Sequence, residues 1–176
     1  NFKMDLGKLA DAAKGAGLVF YCNPNNPTAT YVGAKATRDF LARVNRESPD
    51  TTILVDEAYF EYVTDPAHDT HIGLALENPR VVVARTFSKA YGMAGLRLGY
   101  AVGHADTIKK MRDWDAGTGS SSLNVLALHA AQQAADVVPG LPRVQQLLEH
   151  LDPGDRGLAR GLQADDLDLL AHLHHP

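Results

Sequence analysis

The sequence predicts an α/β fold whose mostly parallel sheet is flanked by helices. Short apolar runs alternate with helical patterns over about the first 115 residues, and these runs lack the polar alternation of a half-exposed strand. Turns rich in Pro, Asn and Gly separate the two kinds of segment. Strands that are apolar on both faces require helices on both sides of their sheet, which is typical of parallel α/β folds.

The predicted elements follow from these patterns in chain order. Strands are expected at residues 18–22, 52–55, 81–84 and 96–102, the last one flanked by glycines. Helices are expected at residues 35–46, 72–76, 106–114 and 122–135. In the first helix, Phe40, Leu41 and Val44 recur at helical spacing on one face. Pro49 and Asp50 break that helix.

Length and composition limit the function classes. The 176 residues suffice for one compact domain and hardly for two, and 45% hydrophobic with 22% charged residues excludes disorder throughout. The formal charge of −4 argues against a nucleic-acid partner. One cysteine, Cys22, excludes an intramolecular disulfide framework. No apolar run approaches the roughly 20 residues that span a bilayer, so we expect a cytoplasmic protein without a membrane partner, any targeting segment being missing ahead of Asn1.

Polar clusters follow three of the predicted strands at the point where each strand ends. They occupy residues 23–28, 56–59 and 86–89. In open α/β sheets, ligands bind outside the carboxyl ends of the strands. Three clusters at one edge of the sheet therefore predict a binding site there.

The residue types at this edge indicate a particular chemistry. Lys89 lies among aromatic and small residues, which could desolvate its amine and favour Schiff-base formation. Ser88 and Arg97 could clamp a phosphate, because Arg presents a planar fork of donors. Asp56 at the end of an apolar strand calls for a cation such as a pyridinium nitrogen, an attraction of about 4 kcal/mol at about 4 Å and an effective dielectric near 20. A lysine, a phosphate clamp and a carboxylate are the fixtures of a pyridoxal 5'-phosphate site.

Three segments together resemble the fold-type I aminotransferases, and within them the histidinol-phosphate aminotransferase group. The segments are Asn-Pro-Asn-Asn-Pro-Thr at 23–28, Asp-Glu-Ala-Tyr at 56–59, and Arg-Thr-Phe-Ser-Lys-Ala-Tyr-Gly-Met-Ala-Gly-Leu-Arg-Leu-Gly-Tyr at 85–100. Their order and spacing match the family. The resemblance implies that residues 1–131 are part of the large, cofactor-binding domain. Residues 132–176 then form an atypical tail, with amphipathic helices expected at 142–151 and 161–173.

The resemblance also implies residue roles. Lys89 resembles the lysine that binds pyridoxal 5'-phosphate as a Schiff base and moves the proton from the substrate Cα. Asp56 would pair with the pyridine nitrogen of the cofactor and keep it protonated.

The remaining implied roles concern the oxygens of the cofactor. Asn26 and Tyr59 would hydrogen-bond the phenolic oxygen, and Ser88 and Arg97 would hold the phosphate. The family usually has Gly where this chain has Ala29, which bears on the backbone of the turn more than on the chemistry.

The implied function is transfer of an amino group between a donor such as histidinol phosphate and 2-oxoglutarate. Aromatic or other amino acids are alternative donors, and a decarboxylase or lyase on the same fold is less favoured. A non-catalytic fragment of the fold is the alternative of another class. Family members are dimers, so a homodimer is implied for the full-length protein. No residue matches the arginine that binds the substrate carboxylate in the family.

Several residues have plainer interpretations. Each of the three segments alone would usually be a turn or a loop. We expect Cys22 to be a small buried hydrophobe, and Met111 and Trp114 to be packing residues. The histidines within residues 172–175 are interpreted as a polar terminus rather than a metal site.

Overall fold

The computed structural model describes residues 2–118 and 125–137 of the chain. The strands are β1 Leu18–Cys22, β2 Thr52–Asp56, β3 Val81–Thr86 and β4 Gly99–Gly103. The helices are α1 Leu6–Ala12, α2 Ala34–Glu47, α3 Ile72–Glu77, α4 Ala105–Thr118 and α5 Val125–Val137. Short 3-10 turns occur at Phe60–Tyr62 and Ala94–Leu96.

The four strands form one sheet in the order β1-β2-β3-β4. Strands β1, β2 and β3 are parallel, whereas β4 runs antiparallel to β3. The register pairs Cys22 with Asp56 and Asp56 with Ala84, so the carboxyl ends of the three parallel strands lie side by side. The α/β fold with a mostly parallel sheet is thereby confirmed.

One face of the sheet carries the main core. Inward residues of β1 and β2, such as Tyr21 and Val55, are fully buried against residues of α1, α2 and α3. The opposite face of β1 differs, because Leu18 and Phe20 are each 58% exposed in the described part of the chain. The sheet flanked by helices is confirmed, with β3 buried on both sides and one side of β1 exposed among the described residues.

Helix α1 is the element that the sequence patterns missed. It has seven residues, and Asp5 caps its amino end by accepting a hydrogen bond from Lys8 N at 3.1 Å. Ala10 and Ala13 are buried at this end of the core. Alanines and a single capping carboxylate give little periodic signal over two turns, so the helix depends on its packing against α2.

Two single-residue expectations are corrected, and others lie outside the described residues. Trp114 was expected to pack and is 75% exposed. Cys22 is half-buried rather than buried, and its thiol donates a hydrogen bond to the Pro24 carbonyl at 3.2 Å. The terminal histidines and the helices expected at 142–151 and 161–173 lie outside the described residues.

The domain boundary expected after residue 131 falls inside α5, so the division of the chain stays a prediction. Among the helices of the described ranges, none combines the length and the apolar character needed to cross a bilayer.

Candidate active site

The candidate site begins where the sheet hydrogen bonds continue past the strands. Asn23 N donates to Asp56 O at 2.9 Å, and Glu57 N donates to Ala84 O at 2.9 Å. These bonds hold the first residues of two loops in line with the parallel strands. The loops after β1 and β2 therefore start from fixed neighbouring positions at one edge.

The loop after β1 is closed by its own asparagines. Asn23 is buried, and its side chain bonds Val32 twice, donating to the carbonyl at 3.0 Å and accepting from the amide at 2.8 Å. Asn25 N donates to Thr30 O at 2.8 Å across the same loop. The closed loop presents Asn26 at its exposed tip.

Asn26, Tyr59 and Lys89 come together above the strand ends. Asn26 Nδ2 donates to the Tyr59 hydroxyl at 3.3 Å, across 33 positions of sequence. Lys89 Nζ lies 5.3 Å from the centroid of the Tyr59 ring. One residue from each of the three polar clusters thus takes part in a single group, although no pattern within any one cluster required it.

Lys89 itself is more open than expected. Its side chain is exposed, so the desolvation expected from its aromatic sequence neighbours is not present. The ring of Phe87 instead packs inward against Tyr91 and Tyr100, with centroids 4.9 and 5.5 Å away. The neighbouring rings therefore anchor the turn that carries Lys89 and leave its amine accessible.

Asp56 occupies the end of β2 in a half-buried position. Its Oδ1 accepts a hydrogen bond from Ala58 N at 2.9 Å, which turns the chain toward Tyr59. Because Asp56 is partly exposed, the free-energy cost of its charge is smaller than that of the fully buried carboxylate expected from the sequence. Burial raises the pKa of the neighbouring Cys22 thiol, and the negative charge of Asp56 adds to this effect.

Ser88 and Arg97 lie on the two sides of the β3–β4 connection. Phe87 N donates to Leu98 O at 3.1 Å, so the residues one step beyond this bond stand opposite each other on the backbone. Arg97 is exposed, has φ 54°, and donates from Nη1 to the Ala94 carbonyl at 2.8 Å. The structure thus places the backbones of Ser88 and Arg97 close together. The Arg97 guanidinium itself is hydrogen-bonded to a carbonyl three residues earlier in the chain.

A partly open cavity of about 260 Å³ adjoins Tyr59. Its lining is rich in rings, including Pro27, Tyr31, Tyr59, Tyr62 and also Asn26. A cavity of this size and lining can take a planar group beside the Asn26–Tyr59 hydrogen bond.

Behind the strand ends lies a buried ionic network to which the sequence analysis assigned no role. Glu57, Arg85 and His71 are 0%, 2% and 1% exposed. Glu57 Oε2 accepts from Arg85 Nε at 3.0 Å, from Arg85 Nη2 at 2.7 Å and from Thr70 Oγ1 at 2.9 Å. Glu57 Oε1 accepts from His71 N at 2.7 Å and lies 2.9 Å from His71 Nδ1. We refer to these four residues as the buried network.

Charges within the buried network oppose the cost of burial. Burial disfavours the Glu57 carboxylate, but the His71 hydrogen bonds and the Arg85 charge outweigh it and lower the pKa of Glu57. Burial likewise opposes the Arg85 charge, and Glu57 and Glu61 outweigh that opposition and raise the pKa of Arg85. Arg85 Cζ also lies 4.1 Å from the centroid of the Phe60 ring.

A sequence signal for this pair existed. Glu57 and Arg85 carry opposite charges, and each lies at or just past the carboxyl end of a buried apolar strand. In neighbouring parallel strands such positions are adjacent, so a pair could have been expected. The contribution of Thr70 and His71 depends on the position of α3 and carries no such signal.

The fold and the strand-end cluster are of the kind expected for the class I and II aminotransferase family. The sequence model described as "Aminotransferase class I and II" matches residues 1–174, and the chain belongs to this family. It is 44% identical over 128 residues to the aromatic amino acid aminotransferase of Mycobacterium tuberculosis strain H37Rv. That alignment covers 73% of this chain and 35% of the relative, so the chain spans about a third of the length of that relative.

Solved structures agree with the family. A proposed histidinol-phosphate aminotransferase from Erwinia carotovora atroseptica superposes with a TM-score of 0.68 and 31% identity, over 78% of this chain and 39% of that one. The histidinol-phosphate aminotransferase of Sinorhizobium meliloti, solved in complex with pyridoxal 5'-phosphate, gives a TM-score of 0.53 and 36% identity, over 58% and 28%. The resemblance to fold-type I aminotransferases that the sequence indicated is confirmed.

Proposed function

We propose that this chain is the cofactor-binding part of an aminotransferase that uses pyridoxal 5'-phosphate. The observation that carries the proposal is the group formed by Asn26, Tyr59 and Lys89 beside Asp56, at the carboxyl edge of a parallel sheet. A hydroxyl and an amide side chain, a free amine and a carboxylate are the donor set that this cofactor needs. The family membership supports the same cofactor.

The residues present fit the cofactor in kind. Lys89 would bond to the aldehyde carbon of the cofactor, and Asp56 would pair with its ring nitrogen. Asn26 and Tyr59 would hydrogen-bond its phenolic oxygen. Ser88 and Arg97 would bind its phosphate. Arg97 fits after a side-chain rotation, because its Nη1 hydrogen bond to the Ala94 carbonyl is an exposed one that a phosphate can replace. When bound, the cofactor supplies a reactive aldehyde and a ring that withdraws electrons from an attached amino acid.

The side chains of this chain would then have separate roles. The Lys89 amine is exposed and lies beside a ring face, so it can reach a carbonyl carbon and afterwards carry a proton at Nζ. The Asp56 carboxylate stabilises a proton on a ring nitrogen by its charge. The Tyr59 hydroxyl, oriented by Asn26, donates to an anionic oxygen.

The amino donor proposed first is an aromatic amino acid. The relatives that share 44% of residues with this chain are named aromatic amino acid aminotransferases. The cavity beside Tyr59 offers ring faces to a planar side chain of the donor, and Lys89 and Asp56 lie outside its lining. Histidinol phosphate is the second candidate, favoured by the histidinol-phosphate aminotransferases among the solved structures. A 2-oxo acid such as 2-oxoglutarate would accept the amino group in either case.

The quaternary structure and location remain part of the proposal. We propose a cytoplasmic homodimer for the full-length protein, as the family resemblance implies. A non-catalytic fragment is the alternative, and it would fail to bind the cofactor covalently.

Reductive trapping tests the proposal directly. The purified chain is mixed with pyridoxal 5'-phosphate, reduced with borohydride and mapped by peptide mass spectrometry. The expected result is one modified peptide that contains Lys89, lost in Lys89→Ala. Modification spread over the exposed Lys109 and Lys110 instead would contradict the proposed site. In an active protein that contains this chain, glutamate formation from 2-oxoglutarate with phenylalanine or histidinol phosphate then separates the two donors.

A further inference from the structure

We propose that the buried Glu57–Arg85 pair is a positioning element of the candidate site, which fixes the ends of β2 and β3 relative to each other and thereby places Asp56 and Lys89. The inference rests on the proposed function, because those two residues are the ones assigned to the cofactor. The described side-chain hydrogen bonds of the pair go to Glu61, Thr70 and His71 rather than to Asn26, Asp56, Tyr59 or Lys89. Both members of the pair act through the backbone to which the site residues are attached.

The pair stands directly behind the site in the chain. Asp56 precedes Glu57, and adjacent residues at the end of a strand point to opposite sides. Asp56 is accordingly half-buried, whereas Glu57 is completely buried. Lys89 follows Arg85 by four residues, through the turn that starts at the end of β3. A shift of either anchor would therefore move one side of the site relative to the other.

The bonding of Glu57 leaves it little freedom. Its two oxygens accept five donors, three at Oε2 and two at Oε1, where an ionised carboxylate offers about four lone-pair sites. These donors come from β3 and from the residues before α3. The end of β2 is thus held from two directions.

Arg85 is held with similar completeness. Besides Glu57, its Nη2 donates to Thr70 Oγ1 at 2.9 Å, and its Nη1 donates to Glu61 Oε1 at 3.4 Å. The Phe60 ring covers its guanidinium. Glu61 and Phe60 belong to the 3-10 turn that begins directly after Tyr59, so the same guanidinium also locates the residue bonded to Asn26.

Stability alone is a poor reason for such a pair. Burying two charges carries a desolvation cost, and well-packed apolar residues in their place are often as stable or more so. What apolar packing cannot reproduce is the directional bonding that fixes two strand ends in one register. A positioning role accounts for both the burial and the number of bonds.

The test separates position from stability with a double variant and a distant control. Glu57→Gln/Arg85→Met removes both charges together and avoids leaving one of them buried alone. Thr51→Val removes a fully buried hydroxyl that donates to Ala16 O at 2.6 Å, at the opposite end of β2. Each 176-residue chain is titrated with pyridoxal 5'-phosphate, and its melting temperature is measured without cofactor. The borohydride-trapped fraction on Lys89 and the pH at which the visible band of the bound cofactor titrates are also recorded.

The double variant should remain folded and bind the cofactor about tenfold or more weakly, since a misplacement of about 1 Å can cost about a hundredfold in rate. The pH midpoint of its visible band should shift, while Thr51→Val changes the melting temperature and leaves affinity and midpoint as in the wild type. Equal affinity and midpoint in the folded double variant would overturn the inference alone. Loss of folding in the double variant with wild-type spectra in Glu57→Gln would also overturn it. No trapped adduct on Lys89 in the wild type would overturn the proposed function and the inference with it.

Discussion

The strand-end surface and the buried network behind it are neighbours with opposite character. At the surface, Asn26 and Lys89 are exposed, and one hydrogen bond of 3.3 Å joins Asn26 to Tyr59. Behind it, Glu57 and Arg85 are almost fully buried, and Glu57 alone accepts five hydrogen-bond donors. The groups that must meet a ligand therefore make few hydrogen bonds, and Glu57 and Arg85 behind them make many.

This difference indicates how the fold can keep a site both open and ordered. A ligand can displace weak contacts such as the Arg97–Ala94 hydrogen bond at little cost. The buried network must keep its geometry when that happens. Substitutions at the surface should thus change chemistry at small cost to folding, and substitutions in the network should change both.

The largest effect is expected at the surface, from Lys89→Ala. The exposed amine contributes little to packing, so the melting temperature should stay near that of the wild type. Covalent cofactor binding and its visible band should disappear, and turnover of an active protein that contains this chain should fall by orders of magnitude. Absorbance spectroscopy and steady-state rates measure both. Lys35→Ala, also exposed and on α2, is the matched control, and an unchanged band in Lys89→Ala would contradict the assignment.

Asp56→Ala should have the next largest effect. The attraction between a half-buried carboxylate and a pyridinium nitrogen is at most about 4 kcal/mol at about 4 Å, so turnover should fall by up to roughly a thousandfold. The cofactor should still bind through its phosphate contacts, because Ser88 and Arg97 are unchanged. Turnover should therefore fall much more than cofactor affinity when the two are measured in parallel. Asp50→Ala removes an exposed carboxylate at the other end of β2 and should change neither quantity.

In the buried network, Arg85→Met should destabilise the chain strongly. The substitution leaves the Glu57 carboxylate buried without its cation, which typically costs about 3–5 kcal/mol. Arg80→Met provides the comparison, because Arg80 pairs with Asp50 at 3.3 Å on the exposed surface. Such surface pairs contribute about 0–1 kcal/mol. Urea unfolding of the two variants measures the contrast, and similar free energies of unfolding would show that the buried pair is replaceable.

Acid unfolding should distinguish the two buried glutamates. Because the folded-state pKa of Glu57 is lowered from 4.5, its contribution to stability is present above that pH and is lost as the pH falls below it. Burial raises the pKa of Glu61 above 4.5, so its ionisation weakens the fold as the pH rises through that value. Glu57→Gln should flatten the loss of stability in acid, and Glu61→Gln should raise stability at neutral pH. The free energy of unfolding between about pH 3 and pH 7 tests both signs.

The same contrast separates what the sequence could predict from what it could not. Strands β1 to β3 were predicted closely because continuous apolar runs end at polar clusters, and parallel pairing brings those ends to one edge. The group around Tyr59 could be anticipated for the same reason. The bonds of His71 to Glu57 could not be predicted, because the two residues lie 14 positions apart and their contact depends on where α3 packs.

The solvent exposure of individual side chains was the other property that the sequence did not predict. Lys89 and Trp114 were expected to lie among neighbours, and both are exposed. Aromatic neighbours in sequence do not become neighbours in space when their rings point into the core, as Phe87 does. Local composition therefore predicts the chemical type of a site better than it predicts the solvent exposure of its residues.

The smallest expected effect is at Ala29, in the loop that carries Asn26. Ala29 has φ 53°, a left-handed conformation that costs an L-residue roughly 1–2 kcal/mol. Glycine adopts it without that cost but loses more chain entropy on folding, typically about 0.5–1 kcal/mol. Ala29→Gly should therefore stabilise the chain by a net of about 0.5 kcal/mol. It should leave cofactor affinity unchanged, because Asn23 and Asn25 hold the loop closed in both cases. Ala67→Gly, at an exposed loop position without positive φ, should destabilise, and a stability change of the same sign in both variants would mean that the Ala29 backbone is not strained.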